Sequence, residues 1–379
     1  MIPRILLENI KKQLYKGKAI ILLGPRQVGK TTLLQELSKK EEHILWINAD
    51  NIEDRELFHQ PSSVRLKAII GNHKIVIIDE AQRIPDIGVK LKLITDEIKD
   101  VQLIATGSSS FELSNSINEP LTGRKFEYHM YPVSFEEMVS HHNLLEELKM
   151  LQHRLIYGSY PEIIVNAGNE RELLQQLIAS YLYKDILEWN RIKKSDKLIK
   201  LLQAIAFQVG SQVSYHELGQ IVGLNSETIA AYINLLEQSF VLFKLSSFSR
   251  NLRNELKKSH KIYFYDNGVR NAIISNFNPL QLRNDTGALW ENYLISERIK
   301  YCEYHKIYCN TYFWRTHAGQ EIDYIEEREG KLFAYEFKWK QHKKVKVPSA
   351  FKKGYDNYQF QVITPDNFET FISEKGIQY

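Results

Sequence analysis

Cysteine is scarce in this sequence, since its 379 residues include only Cys302 and Cys309. Such a pair fits a reducing compartment better than a disulfide scaffold, and no second Cys/His pair accompanies it to form a zinc pattern. Long apolar runs are also missing, because no stretch approaches the ~18 consecutive apolar residues of a membrane span. The first residues scatter charge among apolar side chains, unlike a secretory leader. We therefore expect a cytoplasmic protein without a membrane segment.

A large excess of charge of one sign is absent as well. Lys and Arg together number 50 and Asp and Glu 46, which gives a net charge of +4. This balance excludes a polycation, so any nucleic-acid surface must be local. The apolar fraction of 43% and charged fraction of 25% are typical of folded proteins, and the length predicts two or three domains.

Four continuous apolar runs occur in the first part of the chain. They are AIILL (19–23), ILWIN (44–48), IVIID (75–79) and VQLIAT (101–106). Amphipathic helical patterns such as TTLLQELSKK separate them, as in sheets that are covered by helices on both faces. The pattern predicts an α/β fold with a parallel sheet.

The first run is followed by GPRQVGKT (24–31) and then by a helical pattern. This is the G-x-x-x-x-G-K-[ST] phosphate-binding loop, in its required place between a strand and a helix. Backbone N–H groups would bind phosphate, Lys30 would reach the β and γ oxygens, and Thr31 would ligate Mg²⁺. Arg26 either touches phosphate or holds the loop by a salt bridge. The predicted ATP-binding residues are Gly24, Pro25, Arg26, Gln27, Val28, Gly29, Lys30, Thr31 and Thr32.

The third apolar run ends in two acids, Asp79 and Glu80. A parallel strand delivers such residues to the carboxyl edge of the sheet, where ligands of open α/β folds bind. Asp79 is predicted to hold the Mg²⁺ shell, and Glu80 to orient and deprotonate the attacking water. Taken alone, Glu80 would also fit a solvated strand end.

The middle of the chain becomes helical. Three helical segments are predicted over 197–209, 214–222 and 226–239, followed by the β-rich run FVLFKLSSF, which suggests a winged helix. Its third helix, SETIAAYINLLEQS, has no cation, so we favour a protein-packing role over insertion into a DNA groove. The predicted domains are 1–150, 151–255 and 256–379.

Cations cluster just after this segment. They form either a solvated linker or a strip that tracks phosphates, and they are Arg250, Arg253, Lys257, Lys258 and Lys261.

Besides the loop, six further segments carry a resemblance to a known family: IDEAQRIP, ATGSSS, LTGRKFEYHMYPVSFEEM, GSYPE, DNGVRNAI and GALWEN. With them, nearly the whole chain resembles the AAA-type P-loop ATPases of bacteria and archaea that carry a C-terminal domain of unknown function. The resemblance implies that Ser108, or as the second choice Thr106, senses the γ-phosphate. It also implies that Arg124 is an arginine finger, although a surface cation beside Gly123 is the alternative. A finger acting in trans requires a homo-oligomer.

The final part of the chain places Glu291 on a helix, Asp323 on a strand, and Glu336 with Lys338 on another strand. This order resembles the PD-(D/E)XK nuclease superfamily and implies a restriction-endonuclease-like α/β domain. The three acids would bind a divalent metal, and Lys338 would assist water or phosphate. A binding module that no longer cleaves and an ordinary sheet-edge salt bridge are the alternatives. Lysines that could steer a phosphate backbone follow at Lys340, Lys343, Lys344, Lys346, Lys352 and Lys353.

The favoured function is Mg²⁺-dependent ATP hydrolysis that drives a conformational change, on DNA or on a protein partner. A nucleotide-loaded switch that binds a protein and turns over slowly is the first alternative. An ATP-gated, metal-dependent DNA nuclease is the second.

Overall fold

The computed structural model describes residues 1–39, 41–59, 62–108, 117, 120–180, 195–249, 259–340 and 345–373. The chain divides into two compact units. The N-terminal unit comprises Pro3–Tyr131 and Gln238–Phe240, and the C-terminal unit comprises Met1–Ile2, Pro132–Glu237 and Val241–Tyr379. Among the described helices, none is long and apolar enough to cross a membrane.

The N-terminal unit alternates strands and helices along the chain. Its helices are α1 (Ile5–Lys11), α2 (Lys30–Ser38), α3 (Ile52–Glu56), α4 (Ser63–Ile70) and α5 (Ile87–Glu97). Its strands are β1 (Ala19–Leu23), β2 (Ile44–Asn48), β3 (Ile75–Asp79), β4 (Gln102–Gly107) and β5 (Lys125–His129).

These five strands form one sheet in the order β2-β3-β4-β1-β5. All neighbouring pairs are parallel, and every residue of β1, β3 and β4 is buried. The predicted parallel sheet is therefore confirmed, and continuous burial explains why these three strands are continuous apolar runs. Because β4 lies between β1 and β3, its carboxyl end separates the loop after β1 from the acids at the end of β3.

The C-terminal unit begins with helices and continues as a mixed α/β segment. Its helices are α6 (Phe135–His141), α7 (Leu144–Lys149), α8 (Leu151–Tyr157), α9 (Pro161–Val165), α10 (Glu170–Leu177), α11 (Ser195–Phe207), α12 (Tyr215–Val222), α13 (Ser226–Gln238), α14 (Asn267–Ile273), α15 (Thr286–Tyr304), α16 (Ser349–Gly354) and α17 (Glu369–Ile372). Its strands are β6 (Gln212–Val213), β7 (Leu242–Ser247), β8 (His260–Phe264), β9 (Asn310–Arg315), β10 (Glu321–Arg328), β11 (Lys331–Phe337) and β12 (Tyr358–Ile363).

These seven strands also form one sheet, in the order β12-β11-β10-β9-β7-β8-β6. Strand β7 pairs antiparallel with β8 and parallel with β9, so the sheet is mixed. The sheet joins strands from both sides of the boundary predicted between residues 255 and 256, and the three-domain division stays a prediction. The winged-helix and nuclease-like identities of these segments likewise stay predictions.

Candidate functional site

The loop after β1 turns sharply before α2 begins. Gln27 has φ 61° and Gly29 has φ 95°, so the chain enters the left-handed region twice within three residues. Gly29 stands at the N-cap of α2, which starts at Lys30. The first backbone N–H groups of α2 therefore remain available to an anion at the loop.

The first glycine of the loop packs against backbone. A Cβ at Gly24 would overlap the carbonyl oxygen of Met130, and Gly24 has φ +156°. Met130 directly follows β5, and its N–H donates to the Leu23 carbonyl oxygen at 2.7 Å. The sequence motif indicated that glycine is needed here, but only the structure names the neighbour that excludes a side chain.

Lys30 is folded back onto the loop. Its Nζ donates to the carbonyl oxygens of Gly24 at 2.8 Å and Pro25 at 2.9 Å, and the residue is 5% exposed. Burial lowers the pKa of Lys30 to about 8, against the opposing effect of the Glu80 and Asp79 charges. A phosphate that accepts hydrogen bonds from this ammonium would replace two carbonyl partners with an anionic one.

Asp79 connects the loop helix to the end of β4. Thr31 Oγ1 donates to Asp79 Oδ2 at 2.8 Å, and Thr106 Oγ1 donates to Asp79 Oδ1 at 2.5 Å. Thr106 Oγ1 in turn accepts the Glu80 N–H at 3.0 Å. Thr106 thus fixes both acids at the end of β3.

Glu80 is held by a residue that sequence reasoning missed. Gln82 Nε2 donates to Glu80 Oε2 at 2.6 Å and to Ser108 Oγ at 3.0 Å. Glu80 itself has φ 54°, a left-handed conformation that is uncommon outside glycine and often marks functional sites. Gln82 therefore joins the predicted base to the predicted sensor. The only sequence signal for it was its position in IDEAQRIP.

Thr31 and Asp79 fit the requirements of a Mg²⁺ site. A hydroxyl and a carboxylate lie within hydrogen-bond distance of each other beside the loop, and both are hard oxygen ligands. Mg²⁺ usually keeps several waters and takes its remaining ligands from phosphate, so two protein oxygens are enough.

Arg124 lies at the opposite edge of the sheet. Its carbonyl accepts the Ala19 N–H at 2.9 Å, at the start of β1, whereas the loop follows the end of β1. Five strand residues separate the two edges by on the order of 15 Å. The Arg124 side chain is 44% exposed, and its Nε donates to Asp96 Oδ1 at 2.7 Å. Arg124 therefore does not reach the loop of its own chain.

The other predicted loop residues differ in exposure. Val28 is buried, and its carbonyl oxygen accepts a hydrogen bond from Arg4 Nη1 at 2.9 Å. Gln27 and Thr32 are exposed, and Arg26 is half-buried.

The residues predicted for the C-terminal metal site lie near one another in the C-terminal unit, and they are Glu291, Asp323, Glu336 and Lys338. Asp323 lies where the β9–β10 register shifts, and its Oδ2 accepts the Phe337 N–H at 2.8 Å. Lys338 Nζ donates to Glu336 Oε1 at 2.6 Å. Burial and the charge of Asp323 raise the pKa of Glu336. Burial and the charge of Asp323 also raise the pKa of Glu291.

Lys261 lies among these acids, which corrects its place in the predicted basic strip. Its Nζ bonds Glu291 Oε1 at 3.0 Å and Glu321 Oε1 at 2.6 Å, and the residue is 2% exposed. Burial opposes its charge, but Glu291, Asp323 and Glu321 outweigh that effect and raise the pKa of Lys261. Burial and Asp323 raise the pKa of Glu291 to about 7 even with Lys261 beside it.

A different group of side chains in the C-terminal unit brings its potential metal-ligand atoms close together. Among the described residues, the His, Cys, Asp and Glu group whose ligand atoms all lie within 4.8 Å of one another is Cys302, Cys309 and Glu326. Glu291, Asp323 and Glu336 do not form such a group in the described part of the chain.

The basic residues considered as a solvated linker or as strips that track phosphates lie only partly within the described residues. Lys340, Lys346, Lys352 and Lys353 are exposed. The others, Arg250, Arg253, Lys257, Lys258, Lys343 and Lys344, lie outside the described residues.

A parallel sheet with a phosphate-binding loop after β1 and two acids at the end of β3 defines a P-loop nucleotide-binding domain. Residues 16–139 match the family model described as an AAA domain. Residues 16–139 are therefore similar to the ATPase domains of the AAA class. Residues 148–280 and 286–373 match two models described as domains of unknown function, DUF8612 and DUF4143.

Whole-chain relatives occur in bacteria and archaea. An uncharacterized protein of Mycobacterium tuberculosis is 23% identical over 87% of this chain and 72% of its own length. An uncharacterized protein of Methanocaldococcus jannaschii is 23% identical over 95% of this chain and 85% of its own length. Among solved structures, a Walker-type ATPase of Pyrococcus abyssi is 16% identical, with a TM-score of 0.49 over 72% of this chain and 96% of that one.

Proposed function

We propose that this protein hydrolyses ATP with Mg²⁺ at the site of the N-terminal unit and uses turnover to drive a conformational change. The observation that carries the proposal is the Thr31–Asp79 hydrogen bond of 2.8 Å beside the buried Lys30. It joins the phosphate-binding helix to the acidic strand end, as a metal-assisted phosphoryl-transfer site requires.

Thr31 and Asp79 would hold the Mg²⁺. When bound, the ion neutralises charge on the β- and γ-phosphate oxygens. Lys30 would bind the same oxygens, and the N-terminus of α2 would bind phosphate through backbone N–H groups.

Glu80 would orient the attacking water and accept its proton. Ser108 would sense the γ-phosphate and report to Glu80 through Gln82, which bonds both side chains. Thr106 is fully buried and bonded to Asp79, so it serves better as a clamp on the acids than as the sensor.

Steady-state ATP turnover of the full chain tests these roles. Glu80→Gln should lower turnover by at least about 10²-fold because the base is lost. Lys30→Ala should abolish nucleotide binding. Two matched controls lie at the far end of the helix that begins with Lys30: Glu36→Gln, within the helix, and Lys39→Ala, at its C-cap, each remove an exposed ion pair and should leave turnover unchanged. Equal turnover of Glu80→Gln and the wild type would refute the role of Glu80.

The runner-up, a nucleotide-loaded switch with slow turnover, is favoured by one observation. The Glu80 carboxylate already accepts a hydrogen bond from Gln82 at 2.6 Å, so it must exchange this partner before it can engage a water. Wild-type turnover that stays slow while ATP binds tightly would favour the switch.

We also propose that Arg124 acts in trans, as the finger of a neighbouring subunit in a homo-oligomer. Its location at the amino edge of the sheet supports this proposal, because it is far from the loop of its own chain.

For the C-terminal unit we propose a divalent-metal site at Glu291, Asp323 and Glu336 with Lys338, at which the metal must compete with Lys261. The buried Lys261 ammonium already supplies positive charge to the acids. Binding without cleavage is therefore favoured over an active nuclease, and a DNA or protein partner stays a prediction from the sequence.

A further inference from the structure

Three potential metal ligands from separate elements converge in the C-terminal unit, away from the acids around Lys261. Cys302 lies near the end of α15, Cys309 immediately precedes β9, and Glu326 lies on β10. One ligand atom from each lies within 4.8 Å of the other two. Cys302 Sγ and Glu326 Oε1 are 3.8 Å apart.

We infer that Cys302, Cys309 and Glu326 form a binding site for a thiophilic divalent cation, with Zn²⁺ as the ion that fits best. Zinc–sulfur bonds of about 2.3 Å and zinc–oxygen bonds of about 2.0 Å put tetrahedral sulfur and oxygen ligands about 3.5 Å apart. The sulfur–oxygen distance of 3.8 Å is close to that value. Two thiolates with one carboxylate suit zinc far better than magnesium, so the site differs in kind from the phosphate-binding loop.

The surrounding charges do not oppose the ion. Glu326 is fully buried and bonds Arg298 Nε at 2.6 Å, and Arg328 Nη2 lies 3.3 Å from its Oε2. When both thiols are neutral, the charges of Arg298, Arg328 and Glu326 add up to +1. Zn²⁺ replaces two thiol protons, so the sum is unchanged and neither arginine meets additional positive charge. Oε2 is occupied by Arg298 Nη2 at 3.0 Å and Arg328 Nη2 at 3.3 Å, whereas Oε1, the oxygen nearest Cys302, bonds a single arginine and keeps a second lone pair for the metal.

The two cysteines border an open cavity. Cys302 and Cys309 line a cavity of about 660 Å³ whose wall also includes Tyr308, Thr311 and Glu327. Three protein ligands with an open fourth position leave room for a water or an exogenous ligand. The sequence did not indicate zinc, because a carboxylate on a later strand completes the set in place of a second Cys/His pair.

The test uses tag-free full-length protein, reduced, stripped with a chelator and then titrated with Zn²⁺ against a chromophoric chelator. We expect one tightly held Zn²⁺ per chain and protection of both thiols from a thiol-reactive dye while zinc is bound. Cys309→Ser should weaken binding by at least about 10²-fold, and because Cys309 is only half-buried this variant should fold. Asp356→Asn, at an exposed acid of the same unit that does not line this cavity, is the matched control and should bind zinc like the wild type.

The same experiment can overturn the inference. Equal zinc retention by wild type and Cys309→Ser would place the ion elsewhere, including at the phosphate-binding loop. Reduced protein that retains no zinc, but loses two hydrogen masses on mild oxidation, would make the pair a disulfide-forming couple instead. Neither result depends on ATP hydrolysis, so the proposed ATPase function stands or falls separately.

Discussion

At the scale of single residues, Gly24 sets the shape of the loop. Its missing side chain lets the loop lie against the Met130 carbonyl oxygen, which belongs to the backbone and cannot move aside cheaply. Gly24→Ala should therefore lower nucleotide affinity by at least about 10-fold and also destabilise the protein, since overpacking typically costs about 1–3 kcal/mol. Nucleotide affinity by calorimetry and the midpoint of urea unfolding would measure the two effects.

Gly17→Ala is the matched control for this prediction. Gly17 also has a positive φ, of +71°, but a Cβ there meets nothing within 4 Å. It should cost about 1 kcal/mol of backbone strain and leave nucleotide affinity unchanged. Equal losses of affinity in the two variants would show that contact with Met130 does not shape the loop.

The residues that could be predicted from sequence are those whose partners are close along the chain. The phosphate-binding loop was visible because strand, loop and helix follow one another within a dozen residues. The roles of Gln82 and Lys261 could not be predicted from the sequence, because they depend on partners that the sheets bring together. Lys261 followed other cations in sequence, yet the alternation along β8 turns its side chain toward Glu291, together with that of Tyr263.

At the scale of elements, the motifs GSYPE and DNGVRNAI pack against each other in the C-terminal unit. Helix α14 is buried along its whole length. Asn267 and Asn271 donate to the Leu155 carbonyl oxygen at 3.3 and 3.1 Å, near the end of α8. Asp266 accepts the Ser159 N–H at 2.7 Å. DNGVRNAI thus satisfies backbone groups near the end of α8 and in the GSYPE segment that follows it.

Gly158→Ala should disrupt this junction. A Cβ at Gly158 would overlap the carboxylate of Asp266. Asp266 is buried, which raises its pKa and leaves the carboxylate little room to move. We expect a loss of about 3 kcal/mol and a melting temperature lower by roughly 10 °C, measured by calorimetry. Gly168 also has a positive φ, but a Cβ there would meet nothing within 4 Å. Gly168→Ala should therefore cost only about 1 kcal/mol of stability. Equal shifts in both variants would contradict the account of the junction.

Lys261 on β8 determines how the C-terminal acids respond to metal. In the wild type, Mn²⁺ should add little stability through this cluster because the ammonium already lies among the carboxylates. Lys261→Met should be less stable without metal and should regain stability with Mn²⁺.

Melting temperatures with and without Mn²⁺ measure this response in the full chain. Lys244→Met, on neighbouring β7, removes a lysine that pairs with Glu237 at 2.8 Å and should not change the metal response. Asp323→Ala, combined with Lys261→Met, should abolish the regained stability. A strong Mn²⁺ effect in the wild type that Lys261→Met does not increase would show that the lysine and the metal do not compete.

At the scale of elements, prediction from sequence went furthest where burial is uniform. All four apolar runs became parallel strands, and in β1, β3 and β4 burial on both faces explains the continuous hydrophobic pattern, whereas β2 is only partly buried. The order of the mixed C-terminal sheet was not readable in this way. The parallel pairing of β7 with β9 joins residues more than sixty positions apart, and no local pattern specifies such a pairing.

At the scale of the whole molecule, the location of Arg124 predicts that activity needs more than one chain. Mixing an Arg124→Ala chain with a Lys30→Ala chain should restore ATP turnover, because an intact loop in one chain meets an intact finger from the other. Turnover is measured against the mixing ratio, with each variant alone as the baseline. No restoration from two folded variants would leave Arg124 as the partner of Asp96.

The central claim is that Lys30 and Thr31 bind ATP, whereas Glu80 is needed to hydrolyse it. The most direct measurement is the identity of the nucleotide that remains bound after full-length protein is incubated with ATP and Mg²⁺ and passed rapidly through a desalting column. We predict ADP on the wild type, mostly ATP on Glu80→Gln, and no nucleotide on Lys30→Ala. ADP on Glu80→Gln in the same proportion as on the wild type would contradict the account.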